Sequence, residues 1–218
     1  MSEPATRIAD VRDQIARAAK AARRKAGDVT LVAVTKQRGV EQIEPLIAAG
    51  VTEFGENRVQ EAAEKWPSLR RDHPGIRLHM IGRLQSNKAE EAVELFDTIH
   101  SLDRPSLLDA LVAAGNKARR FPDVYVQVNI GAEEQKGGVT IAGLPPFLEQ
   151  VRASPLPFSG LMAMPPLGRQ PGPYFALLAE LARRHGVTGL SMGMSSDFTT
   201  AVMLGATAVR VGSALFED

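Results

Sequence analysis

Two periodicities alternate along this chain, and that alternation restricts the fold more than any single motif does. Short apolar runs rich in β-branched residues fall at 29–35, 51–54, 76–81, 98–101, 124–130, 158–162, 187–191 and 208–211, and each is expected to be a strand. Between them apolar residues recur at helical spacing, which predicts helices over 40–49, 57–65, 86–95, 104–118, 141–152, 174–184 and 198–204. Strands separated by helices pair parallel, because each crossover returns the chain to the same end of the sheet. Eight such units close most economically into an α/β (β/α)8 TIM barrel. A doubly wound open sheet is the alternative if a short run such as 51–54 is not a strand. Ahead of the series, Ile8, Val11, Ile15, Ala18 and Ala22 mark an extra N-terminal helix over 4–25, with Gly27 suited to follow it. With 218 residues and no long linker, the expectation is one domain spanning 1–218.

Composition removes several function classes. The net charge is +1, so no overall field recruits nucleic acid or an anionic membrane. The basic clusters Arg23-Arg24-Lys25 and Arg70-Arg71 are short and lack interleaved aromatics. Cysteine is absent, which rules out disulfides, a thiol nucleophile and Cys-ligated metal. No apolar stretch is long enough to span a bilayer, and the N-terminus lacks the pattern of a secretory signal, so the expected location is cytoplasmic. His73, His79, His100 and His185 lack metal-ligand spacing, and neither a P-loop nor a G-x-S-x-G elbow occurs.

On a barrel, functional groups gather at the C-terminal ends of the strands. Lys36 ends the first apolar run, Leu-Val-Ala-Val-Thr-Lys at 31–36. Set beside a core, its amine would be desolvated and nucleophilic, a candidate Schiff-base lysine; the plainer reading is a solvated lysine at a strand end. Ser191-Met192-Gly193-Met194-Ser195-Ser196 follows the seventh run, and Arg210-Val211-Gly212-Ser213 the eighth. Barrels frequently hold a phosphate between these two loops. Gly193 and Gly212 would let backbone amides come close to it, and Ser191 and Ser213 would offer hydroxyls. Arg210 lies between Val209 and Val211, as either an inward-facing cofactor contact or a structural ion pair. Gly55-Glu56-Asn57-Arg58 and Gly82-Arg83-Leu84-Gln85-Ser86-Asn87-Lys88 read either as ligand loops or as helix caps. His79 and His100 read as barrel-mouth groups or as satisfied structural residues.

Six motifs in order resemble one family, the pyridoxal phosphate homeostasis proteins. They are Leu-Val-Ala-Val-Thr-Lys (31–36), Phe-Gly-Glu-Asn-Arg-Val-Gln-Glu (54–61) and His-Met-Ile-Gly-Arg-Leu-Gln-Ser-Asn-Lys (79–88), then Gly-Leu-Met-Ala-Met-Pro-Pro (160–166), Leu-Ser-Met-Gly-Met-Ser (190–195) and Val-Arg-Val-Gly-Ser (209–213). The resemblance implies a barrel like the N-terminal domain of alanine racemase, with pyridoxal 5'-phosphate (PLP) held by Lys36. It also implies Ser191, Gly193, Gly212 and Ser213 around the phosphate, Arg210 at the pyridine nitrogen, and Asn57 and Met80 beside the ring. Thr35 and Arg58 depart from the family's usual Ser and aromatic residue.

The function implied is intracellular PLP homeostasis without an established reaction, with PLP-dependent apoenzymes as recipients. The rival is a PLP-dependent amino-acid racemase, which needs acid/base groups on both faces of the substrate. Tyr125 and Tyr174 fall in an expected strand and an expected helix, and the sequence ends at Asp218 soon after the eighth run, so no opposing group is expected. A third reading is a phosphate-binding barrel in which Lys36 is dispensable. A monomer is expected, since nothing in the sequence marks a large apolar patch.

Overall fold

In the computed structural model, which describes residues 3–216, eight strands close on themselves in chain order. They are β1 (Thr30–Val34), β2 (Glu53–Glu56), β3 (Arg77–Met80), β4 (Thr98–Leu102), β5 (Asp123–Gln127), β6 (Phe158–Met162), β7 (Leu190–Ser191) and β8 (Ala208–Val211). Every neighbouring pair is parallel, and β1 returns to β8 in the register Thr30↔Ala208 to Ala33↔Val211. The helices around them are α1 (Glu3–Ala21), α2 (Val40–Ala48), α3 (Val59–Asp72), α4 (Ala89–Leu95), α5 (Pro105–Ala118), α6 (Leu144–Ala153), α7 (Gly172–Arg184), α8 (Phe198–Met203) and α9 (Ser213–Phe216). This is the expected (β/α)8 barrel, and α1 is the extra helix, packed against α8 and α9.

Some boundaries differ from expectation for physical reasons. β2 starts two residues late because Val51 is drawn into the end of α2, its N–H bonding to Leu46 O. α3 runs on through Pro67, since Trp66 and Leu69 bury their side chains on either side of it. Tertiary packing there outweighs the lost backbone bond. α1 stops at Ala21 rather than 25 because Arg23 turns left-handed, at φ 57°. α9 was not anticipated.

Strand alternation sorts the barrel into two layers. Phe54, Leu78, Met80, Ile99, Val124, Val126, Val209 and Val211 point outward into the apolar layer shared with the helices. The alternate positions point inward, and many are polar. Thr30, Glu53, His79, Thr98, His100 and Tyr125 border a cavity of about 290 Å³ at the N-terminal floor. Gln127 and Arg210, one inward position further along β5 and β8, reach the opposite mouth. Branched apolar layers usually fill such an interior; this one carries a polar column.

Candidate functional site

The mouth holds a cavity of about 930 Å³ at the C-terminal ends of the strands. Lys36, Asn57, Arg210, Gly212 and Ser213 all line it. The wall also carries Arg38, Arg83 and Lys136, so five cations face one space. Among the described residues, no aspartate or glutamate lines it. Such a surface attracts an anion.

For Lys36 the plainer of the two readings holds. It lies one residue beyond Thr35, on the turn after β1, and is exposed rather than buried against the core. Its amine makes no hydrogen bond or ion pair among the described residues. The turn itself is held firmly. Gln37 adopts φ 59°, a left-handed conformation unusual for a residue with a side chain. Its N–H donates to Glu61 Oε1 at 2.5 Å. Lys65 of α3 donates to Thr35 O at 3.0 Å and to Arg38 O at 3.2 Å, one carbonyl on each side of Lys36.

Lys65 in turn lies 2.8 Å from Glu56 Oε1 and 2.8 Å from Glu61 Oε1. Burial pushes the Glu61 carboxyl up, but the bonds from Lys65 and Gln37 outweigh it and leave the group below 4.5. Glu56 is fully buried, because the last residue of β2 points outward into the helix layer. Its Oε1 also accepts from Thr35 Oγ1 at 2.7 Å and Trp66 Nε1 at 3.0 Å, while Oε2 has no partner. Glu56 and Lys65 therefore tie the turn to α3; Glu56 does not cap that helix.

The loops after β7 and β8 meet through Ser195. Its Oγ accepts from Gly212 N at 3.1 Å and from Ala214 N at 3.4 Å. Ser195, Ser196, Gly212 and Ser213 thus form one polar edge of the mouth. Gly193 serves the loop's course rather than the wall. It takes φ 96°, and a Cβ there would lie 2.6 Å from Ala201 Cβ and 3.0 Å from Phe198 Cα. Gly193→Ala combines a forbidden φ with a clash against α8, and is expected to cost at least about 1–3 kcal/mol. Urea unfolding measures this, and a cost near zero would show that the loop relaxes freely.

Met80, Ser191 and Gly193 lie off the cavity wall, contrary to expectation. His79 points inward, so Met80 must point outward, and it is buried in the helix layer. Ser191 is fully buried beneath the mouth, with its hydroxyl between Arg210 Nη1 at 2.5 Å and His100 Nδ1 at 2.8 Å. His79 and His100 belong to the barrel interior and floor rather than the mouth. Asn129 closes a local turn, bonding Glu133 through both ends of its amide.

Arg210 is 4% exposed yet borders the cavity. Its Nη2 donates to Ala163 O at 3.2 Å. Burial lowers its pKa to about 10, so it stays charged at neutral pH. No described carboxylate lies within ion-pair distance of it. Asp197 acts on it only from beyond ion-pair distance, and its described hydrogen bonds go to neutral acceptors, so an anion or a further acceptor at the mouth would be favoured. Ser195, Ser196, Arg83 and Gln127 also belong to the site. Ser195 and Ser196 were visible in the Ser/Gly loop, whereas nothing in the local pattern marked Gln127.

Comparison with known proteins follows this geometry. Residues 11–218 match the family described as alanine racemase, N-terminal domain. The pyridoxal phosphate homeostasis protein of Deinococcus radiodurans is 40% identical over 221 residues, covering 99% of this chain and 100% of that protein. The protein of the same name from Synechocystis is 38% identical over 200 residues, covering 87% and 91%. PipY of Synechococcus elongatus, solved with PLP bound, superposes with a TM-score of 0.85 at 37% identity, covering 98% of this chain and all of that one. Alanine racemase of Clostridium difficile is 13% identical, with a TM-score of 0.69, and covers 94% of this chain but 59% of its own; it shares the fold alone.

Proposed function

This chain belongs to the pyridoxal phosphate homeostasis protein family, and on that premise we propose that it holds PLP at the barrel mouth on Lys36 and buffers or delivers it to apoenzymes. The observation that carries this reading is the mouth cavity itself: among the described residues, an amine without a partner, a Ser/Gly edge and a buried guanidinium in no ion pair, with cations but no carboxylates on the wall. Those groups fit a ligand with an aldehyde, a phosphate and a ring nitrogen. When bound, PLP supplies an aldehyde that a lysine amine can capture.

Each residue then has a defined part. Lys36 has no hydrogen bond to break before it engages a carbonyl. Ser195, Ser196, Gly212 and Ser213 hold the phosphate with hydroxyls and backbone N–H groups. Asn57 borders the ring. Arg210 donates a hydrogen bond to the ring nitrogen and cannot protonate it. A ring left unprotonated is a weak electron sink, which favours storage over carbanion chemistry.

The racemase reading fits less well. Among the described residues lining the cavity there is no tyrosine, histidine, aspartate or glutamate to oppose Lys36. Lys136 is engaged with Glu133 and with Pro165 O. The absence of cysteine agrees with a cytoplasmic protein.

The test is a visible spectrum of the protein with PLP, wild type beside Lys36→Ala, followed by borohydride reduction and peptide mapping. The wild type is expected to show a visible band that Lys36→Ala lacks, with the reduced label on the peptide containing Lys36. Label scattered over other lysines, or an equal band in Lys36→Ala, would reject the site. Lys36-dependent racemisation of alanine would replace storage by catalysis.

A further inference from the structure

One column of side chains runs through the barrel from mouth to floor. Arg210 Nη1 lies 2.5 Å from Ser191 Oγ. Ser191 Oγ lies 2.8 Å from His100 Nδ1. His100 Nε2 lies 2.9 Å from His79 Nδ1, and His79 Nε2 lies 2.6 Å from Glu53 Oε2. All five side chains point inward, from β8, β7, β4, β3 and β2. His100 is stacked on Tyr125, with ring centroids 4.6 Å apart, which fixes its plane.

The Arg210 end and the buried, neutral His100 together set the direction of each bond. A guanidinium only donates, so Ser191 Oγ must accept from Arg210. The Ser191 hydrogen then has His100 Nδ1 as its acceptor. His100, fully buried beside a fixed cation, is neutral and carries its hydrogen on Nε2. His79 Nδ1 accepts that hydrogen, so His79 carries its own on Nε2 and gives it to the Glu53 carboxylate. The chain begins on a permanent cation and ends on a carboxylate, with a hydroxyl and two imidazoles between them. Since Arg210 does not release a proton, the column orients rather than conducts.

We propose that Ser191, His100, His79 and Glu53 are positioning residues for Arg210, a one-way hydrogen-bond chain that aims its guanidinium at the mouth from an anchor on the opposite face of the barrel. Ser191 thereby acts through Arg210 and not on the phosphate. The effect on PLP rests on the reading above; the direction of the chain does not. Arg77 and Asp123 are the other described charged groups at the anchor, Arg77 with Nε 3.7 Å from Glu53 Oε2 and Nη2 3.1 Å from Asp123 Oδ2.

The first measurement is long-range proton–nitrogen NMR of the ligand-free, ¹⁵N-labelled full chain at neutral pH. His79 and His100 are both expected as neutral Nε2–H tautomers. An Nδ1–H on either ring, or a doubly protonated His79, means that the chain runs the other way and overturns the proposal. The second compares PLP with an analogue that has CH in place of the ring nitrogen. Ser191→Ala and Glu53→Gln are expected to weaken PLP about tenfold, the scale of one hydrogen bond to a charged group, and to leave the analogue unchanged. Equal losses for both ligands would reduce these residues to scaffold and overturn the proposal. If wild type binds no PLP, the functional reading fails while the tautomers still decide the direction of the chain.

Discussion

Lys65→Met is expected to destabilise the protein by about 3–5 kcal/mol, the cost of stripping the partner from a buried charge. Glu56 is fully buried, and one of its oxygens already lacks a partner. Lys65, 2.8 Å away, is the cation that compensates it. Thr35 and Trp66 would remain as donors but carry no charge. The same change frees Thr35 O and Arg38 O, so borohydride trapping of PLP at Lys36 should also slow. The double variant Glu56→Leu/Lys65→Met removes both charges and is expected to recover most of the stability, because replacing a buried pair with apolar side chains is often neutral. Guanidinium unfolding of the two singles and the double decides the matter. A Lys65→Met cost below about 1 kcal/mol would mean that water reaches Glu56.

Acid should weaken the fold through His100. Its pKa is lowered well below 6.5, first by burial and then by His79 and Arg210. The unfolded chain therefore binds a proton that the folded one refuses. The contribution of His100 is fully present above 6.5 and is lost as pH falls from 6.5 toward the depressed folded value. Within that window one proton corresponds to about 1.4 kcal/mol per pH unit. His100→Gln keeps hydrogen-bonding capacity and cannot titrate, so its stability should fall less steeply over the same range. Parallel slopes for wild type and His100→Gln would show that His100 is already charged in the folded protein.

The strand-and-helix rhythm made the fold legible, because parallel crossovers and the count of units leave few closures. Positions fixed by period two were also within reach, although the expectation for Met80 missed them. Given that His79 faces the interior, Met80 cannot also reach a pocket inside the barrel. For Ser191, a serine at the end of β7 says nothing about Arg210 and His100 converging on it from β8 and β4. For Lys36 the apolar run left both a desolvated and a solvated amine open, and the solvated one is found. The strand ends at Val34, and Lys36, beside the left-handed Gln37, stands exposed on the wall of the mouth cavity. The network of Glu56, Glu61 and Lys65 left no local signature, being assembled from two elements against the turn after β1. Gln127 belongs with it: a polar residue at the end of a strand is ordinary until the barrel closes around it.

The polar column also bears on how the sheet finds its closure. Sliding one strand by a single residue exchanges its inner and outer faces. In most barrels both faces are apolar, and such a slip costs little more than packing. Here a slip of β8 would push Arg210 into the apolar layer beneath α1 and α8, and a slip of β2 would do the same to Glu53. The ionisable residues thus mark each strand's register, and wrong closures are penalised by stranded charge. Arg210→Met or Glu53→Leu should then leave a barrel that is less uniquely ordered, visible as broadened backbone amide resonances from β2 and β8.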